Sequence, residues 1–111
     1  MNGGNKPMSK ASYFAGKLIK GEEVKRYKEG GNSMLPLMKS NQPVDLDPVT
    51  NETELEEGNI VFCKVHGNYY THLILKIKGS GDSTRYQIGN NKGNVNGWIP
   101  KSKIFGIVVK I

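Results

Sequence analysis

A single cysteine, Cys63, leaves the chain without an internal disulfide. It stands in the apolar run 60–65, where a buried, inert thiol is expected. Nothing near it in sequence would lower its pKa, so it is not read as a nucleophile. Histidine is nearly as scarce, with two residues, and no carboxylates cluster around them. One Cys and two His do not build a zinc site, so no metal is expected. No glycine-rich phosphate loop and no paired acid and base carboxylates stand out, so no cofactor is expected. Long apolar runs are absent too: the best, 104–109, falls far short of the roughly 20 residues a membrane span requires. No basic stretch followed by apolar and small residues opens the chain, which is the pattern of a secretory signal. The expectation is a soluble, cytoplasmic protein with no membrane partner.

What is plentiful is glycine, 14 of 111 residues, and positive charge, a net +6. The length suits one small domain with one core. The charge is uneven. Lys6, Lys10, Lys17, Lys20, Lys25, Arg26 and Lys28 face only Glu22 and Glu23 in the first 28 positions. Asp45, Asp47, Glu52, Glu54, Glu56 and Glu57 then form an acidic stretch. A basic arm of this kind is a candidate for weak nucleic-acid binding through phosphates, or a solvated lysine-rich face. Residues 1–23 are read as a flexible basic leader or arm, and residues 24–111 as the folded β domain.

Short strands with turns between them fill that domain. Residues 11–20 suit a turn of helix or a docking strand. Strands are expected at 24–27, 43–49, 60–65, 69–77, 85–88, 98–100 and 104–111. His66, Gly67 and Asn68 form a hairpin turn, with His66 exposed and structural. Residues 89–97, rich in Gly and Asn, read as a loop. The fold class is mostly β, a small curled sheet or partial barrel. No internal repeat is present.

One short segment carries candidate chemistry. Gly31, Asn32 and Ser33 precede Met34, Leu35 and Pro36. Pro36 suits the first turn of a brief helix with Ser33 at its N-cap. Gly31 can take a positive φ, which would turn the N–H groups of Asn32 and Ser33 toward a developing oxyanion. A following helix would aim its dipole at the same charge. A serine hydroxyl is a weak nucleophile and needs a base beside it.

The order of motifs resembles the serine-peptidase superfamily of LexA-type repressors and signal peptidases. Gly31 to Pro36 looks like the Gly-x-Ser-Met-x-Pro signature. Gly58-Asn59-Ile60-Val61 is similar to a Gly-Asp-Ile-Val segment, with Asn59 for the usual Asp. Gly89-Asn90-Asn91, then Gly97-Trp98-Ile99-Pro100, then Ile104-Phe105-Gly106-Ile107-Val108 resemble the family's ending. The match runs from about Val24 to the last residue. The resemblance implies a LexA/signal-peptidase-like catalytic domain with Ser33 as nucleophile. It places His72 where LexA-type members carry a lysine base and signal peptidases of the endoplasmic reticulum carry histidine. A lysine base must be desolvated to lose its proton, whereas histidine ordinarily titrates at about 6.5. The Asp-Ser-Arg motif of signal peptidases is missing, and Asn90 or Asn91 is the candidate for orienting His72. The DNA-binding helices of LexA-type repressors are missing as well. A small, phage-like stand-alone member fits this outline.

Three functions compete. One is a serine peptidase with a Ser33–His72 dyad that acts on a peptide or protein substrate, or on itself at Ala15-Gly16, a dipeptide like the bond LexA-type proteins cut. The second is an inactive binding module on the same fold, for nucleic acid or a protein. The third is a homodimer paired through the apolar strand 104–111, a run that a core strand explains equally well.

Overall fold

The computed structural model describes residues 9–31 and 33–110. The chain runs as helix α1 (Lys10–Ile19), then strands β1 (Val24–Tyr27), β2 (Val44–Pro48), β3 (Ile60–Val65) and β4 (Asn68–Lys78). Strands β5 (Arg85–Gly89), β6 (Val95–Ile99) and β7 (Ile104–Lys110) complete it. All seven strands join one antiparallel sheet in the order β1-β2-β7-β3-β4-β5-β6. The sheet is mostly β architecture left open, with β1 and β6 as edges. Register breaks in every pairing except β3 with β4 bend and coil it. β6 begins at Val95, inside the stretch read from sequence as loop.

Both faces of the sheet are buried at its centre. In β3, Ile60 and Phe62 point to one core and Val61, Cys63 and Val65 to the other. That is why 60–63 is continuously apolar rather than alternating. The first core holds an aromatic cluster. Phe62 stacks on Tyr69 with centroids 5.7 Å apart and tilts against Tyr27 at 5.1 Å and Phe105 at 6.2 Å. The second core gathers Ile74, Tyr86, Ile88, Ile99 and Ile104, and Leu55 of the acidic segment packs onto it.

Helix α1 covers the first core. Ser9 caps it by accepting from the Ser12 N–H at 3.1 Å. Ala11, Phe14, Ala15 and Leu18 fall at helical spacing and face the core. The chain leaves the helix at Gly21, with Gly21 N–H donating to Leu18 O at 3.0 Å and Glu22 N–H to Lys17 O at 3.0 Å. Gly106 of β7 lets the helix approach closely, since a Cβ there would lie 3.0 Å from Leu18 Cδ1. Of the arm expected over 1–23, residues 1–8 lie outside the described residues, and the helical part differs from a flexible arm. From Lys10 onward it is a helix whose Ala15 and Leu18 are core residues. Its cations are engaged locally: Lys10 Nζ donates to Lys28 O at 2.9 Å, and Lys17 Nζ lies 3.9 Å from Glu22. Lys6 lies outside the described residues.

Strand β7 sits between β2 and β3, so both its backbone edges are used within the sheet. At Gly106 and Ile107, where β7 is paired on both sides, no edge is free for a second copy, and buried Ile104 and Phe105 make this part a core strand. No helix among the described residues is long and apolar enough to cross a membrane.

Removing the central ring tests this packing. Phe62→Ala is expected to lower stability by about 3–5 kcal/mol, read from guanidinium denaturation. Alkali gives a second test. Burial pushes the Cys63 thiol from 9.0 up to about 12, with the nearby Glu29 charge adding to the shift. The fold holds the neutral thiol while the unfolded chain ionises, so stability is full below pH 9.0 and falls as pH rises toward about 12. A Cys63→Ala variant should lose stability less steeply over that window.

Candidate active site

A difference in strand length creates the site. β4 pairs with β3 along Asn68 to Leu73, but β5 joins β4 only from the pair Leu73↔Gly89 onward. Among the described residues, no strand covers the other edge of β4 from Asn68 to His72. Buried backbone donors there need partners. The chain between β1 and β2 supplies one. Glu29 Oε2 accepts from the Thr71 N–H at 3.2 Å, and Oε1 accepts from the Thr71 hydroxyl at 3.2 Å and the Tyr27 hydroxyl at 3.1 Å. Burial, with the Glu29 charge beside it, raises the Tyr27 pKa above its ordinary value.

Ser33 follows in the same segment. Met34 and Met38 are buried in the first core, 5% and 6% exposed, and they tether the turn on which Ser33 stands. The helix expected after Ser33 is absent. Residues 33–37 form turns with a cis Leu35–Pro36 peptide, and Met38 N–H donates to Met34 O at 3.0 Å. No helix dipole therefore serves this serine. Gly31 does take a positive φ of 111°. Asn32 lies outside the described residues. Among the described residues, no acceptor faces the Ser33 N–H.

His72, next to Thr71 on β4, points to the opposite face and is 6% exposed. Its Nε2 lies 3.1 Å from Ser33 Oγ. Its Nδ1 lies 2.7 Å from Asn96 Oδ1, and its ring stacks on Tyr70 at 4.8 Å. An amide oxygen accepts, so Nδ1 carries the hydrogen in this arrangement. Nε2 then presents its lone pair to the Ser33 hydroxyl, the direction a general base requires.

The orienting amide belongs to Asn96, not to Asn90 or Asn91. Asn90 folds its side chain back on its own loop, accepting from the N–H groups of Lys92 at 2.9 Å and Asn94 at 3.1 Å. Asn91 holds the serine turn instead. Its N–H donates to Ser33 O at 3.1 Å and its Nδ2 to Leu35 O at 2.8 Å. One loop thus positions both members of the pair. Gly89, just before it, has no room for a side chain, because a Cβ would come 2.6 Å from Asn94 O.

The pair opens into a cleft of about 810 Å³, which Tyr27, Tyr69, Tyr70, Asn94, Asn96 and Lys10 also line. Among the described residues, no three His, Cys, Asp or Glu side chains come together as a metal site would need. The Ala15-Gly16 bond lies inside α1, with Ala15 3% exposed. A helical, buried bond does not reach a nucleophile, so self-cleavage at Ala15-Gly16 is set aside.

Sequence reasoning passed over Glu29 and misassigned the asparagines. The density of Asn over 90–96 marked the loop as special. Which amide reached which partner depended on the break in register at Ile88/Gly89, where β6 bulges.

No protein-family model matches the chain, and no curated protein matches it.

A fluorophosphonate, which phosphonylates activated serines, reads this geometry directly. Ser33 is expected to be labelled in the folded protein, as located by peptide mass. Asn96→Leu should slow labelling by about tenfold or more, since Nδ1 loses its acceptor. Asn91→Ala should slow it less, by loosening the turn.

Proposed function

We propose that this chain is a serine peptidase of the kind found in LexA-type repressors and signal peptidases. Ser33 is the nucleophile and His72 the general base. The observation that carries the reading is the 3.1 Å approach of Ser33 Oγ to His72 Nε2 while Asn96 holds Nδ1 at 2.7 Å. The chemistry follows from those contacts. His72 takes the Ser33 proton as Oγ attacks the carbonyl carbon of a peptide in the cleft. The Ser33 N–H donates to the oxyanion. His72 then gives its proton to the leaving amine, and the C–N bond breaks. Water, deprotonated by His72, hydrolyses the Ser33 ester and releases the acid. The substrate is a peptide segment presented in extended form, in another protein or in a stretch of this chain outside α1. No cofactor enters the reaction.

One observation favours the second reading, a non-catalytic binding module on the same architecture. Asn96 is neutral and stabilises an imidazolium less than a carboxylate does. Asn96→Asp separates the two. In a peptidase it should raise turnover, because the charge supports the imidazolium. In a binding module no turnover appears with either residue.

Hydrolysis of a peptide library, read by mass spectrometry, tests the proposal. Ser33→Ala and His72→Gln should each lower the rate by a factor on the order of 10³ or more. Hydrolysis that persists in Ser33→Ala would sink the dyad.

A further inference from the structure

Beyond Ile74, the face of the sheet that carries Leu73 runs out from under its cover. Lys76 pairs with Gln87, Gln87 with Trp98, and Lys78 with Arg85. Residues paired directly across antiparallel strands point to the same side. The intervening residues Ile77, Tyr86 and Ile99 turn the other way into the second core. Lys76, Lys78, Arg85 and Trp98 therefore share one exposed face of β4, β5 and β6. Trp98 is 39% exposed, and Lys78 Nζ lies 5.4 Å from its ring centroid. Arg85 donates to the backbone oxygens of Asp82 at 3.1 Å and Thr84 at 2.9 Å, which fixes the guanidinium without neutralising it. Among the described residues, no carboxylate forms an ion pair with any of these three cations. At the amino terminus, by comparison, Lys17 and Lys25 have carboxylate partners.

We propose that this face binds single-stranded nucleic acid. A base stacks on the Trp98 ring, and flanking phosphates lie against Lys76, Lys78 and Arg85. An acidic peptide would satisfy the cations but bring no ring to stack on the indole. A nucleobase supplies the π-face that an exposed ring takes, and its backbone supplies the charge. A duplex hides its bases in the stack, so a sheet face with one exposed ring favours a single strand. β6 is the sheet edge, so the strand has lateral room at Trp98. Ser33 and His72 take no part, and the proposal stands apart from the peptidase reading.

Trp98 is the only tryptophan and reports on its own contacts. Its fluorescence is followed as the whole chain is titrated with oligothymidylate at several salt concentrations. Quenching is expected, with affinity falling steeply as salt rises. Lys76→Glu with Lys78→Glu should weaken binding by about tenfold or more and flatten the salt slope by about 2. Trp98→Leu, followed by anisotropy of a labelled oligonucleotide, should weaken it by about tenfold, and Trp98→Phe by much less. Circular dichroism confirms that each variant is folded. The proposal is overturned if oligothymidylate leaves the fluorescence unchanged. It is overturned equally if the lysine variants bind like the parent, which moves the site elsewhere. Duplex DNA or polyglutamate binding as tightly as the single strand would reduce the face to a general anion patch.

Discussion

β4 is longer than the strand beside it, and the candidate site exists because of that mismatch. From Asn68 to His72 its backbone has β3 along one edge and, among the described residues, no strand along the other. A buried amide left without an acceptor costs about 1–3 kcal/mol, so something must close that edge. Glu29 does so at Thr71, through both the backbone N–H and the hydroxyl. The segment that brings Glu29 to this edge brings Ser33 as well. Closing the sheet and placing the serine beside His72 are one structural act.

The parts of the site divide between apolar anchors and amides. Met34 and Met38 sink into the first core and fix the turn, which leaves Ser33 at the cleft. Asn91 holds the backbone of that turn, and Asn96 holds the His72 ring. The carboxylate in the cleft, Glu29, is already committed to Thr71 and Tyr27. His72 is therefore left with a neutral partner. An amide fixes the tautomer as a carboxylate would, but it adds no charge to hold a proton on the ring. Asn59 makes the same exchange without consequence. Its side-chain oxygen accepts from the Glu56 N–H at 2.8 Å, which an aspartate oxygen would also do.

Charge is distributed with similar economy. The acidic segment lies over the second core, where Leu55 packs and Glu57 Oε2 accepts from the Ile77 N–H at 3.1 Å. Near the amino terminus, Lys10 bonds to a backbone carbonyl and Lys17 and Lys25 pair with carboxylates. Among the described residues, the outer face of β4, β5 and β6 gathers three cations without carboxylate partners around Trp98. Net charge alone pointed to the amino terminus. Packing adds a second basic cluster at the far end of the sheet.

Strand period and turn residues were enough to find β1, β3, the β3–β4 hairpin and β7, because those signals are local. Apolar runs at 60–65 and 104–111 also disclosed that these strands lie inside. Ser33 and His72 were legible as a pair only through the order of motifs, since 39 positions separate them in sequence. Helix α1 was ambiguous until its stripe of Ala11, Phe14, Ala15 and Leu18 met a sheet to bury it. The turn after Ser33 looked like a helix start because a proline and an apolar run suit one locally. Burial of Met34 and Met38 from a non-helical turn overrode that preference. The choice among four asparagines was beyond any local rule. A hydrogen bond needs an oxygen within about 3 Å and properly aimed. Only the bulge in β6 and the covering of the β4 edge by the Ser33 segment set which amide met that condition.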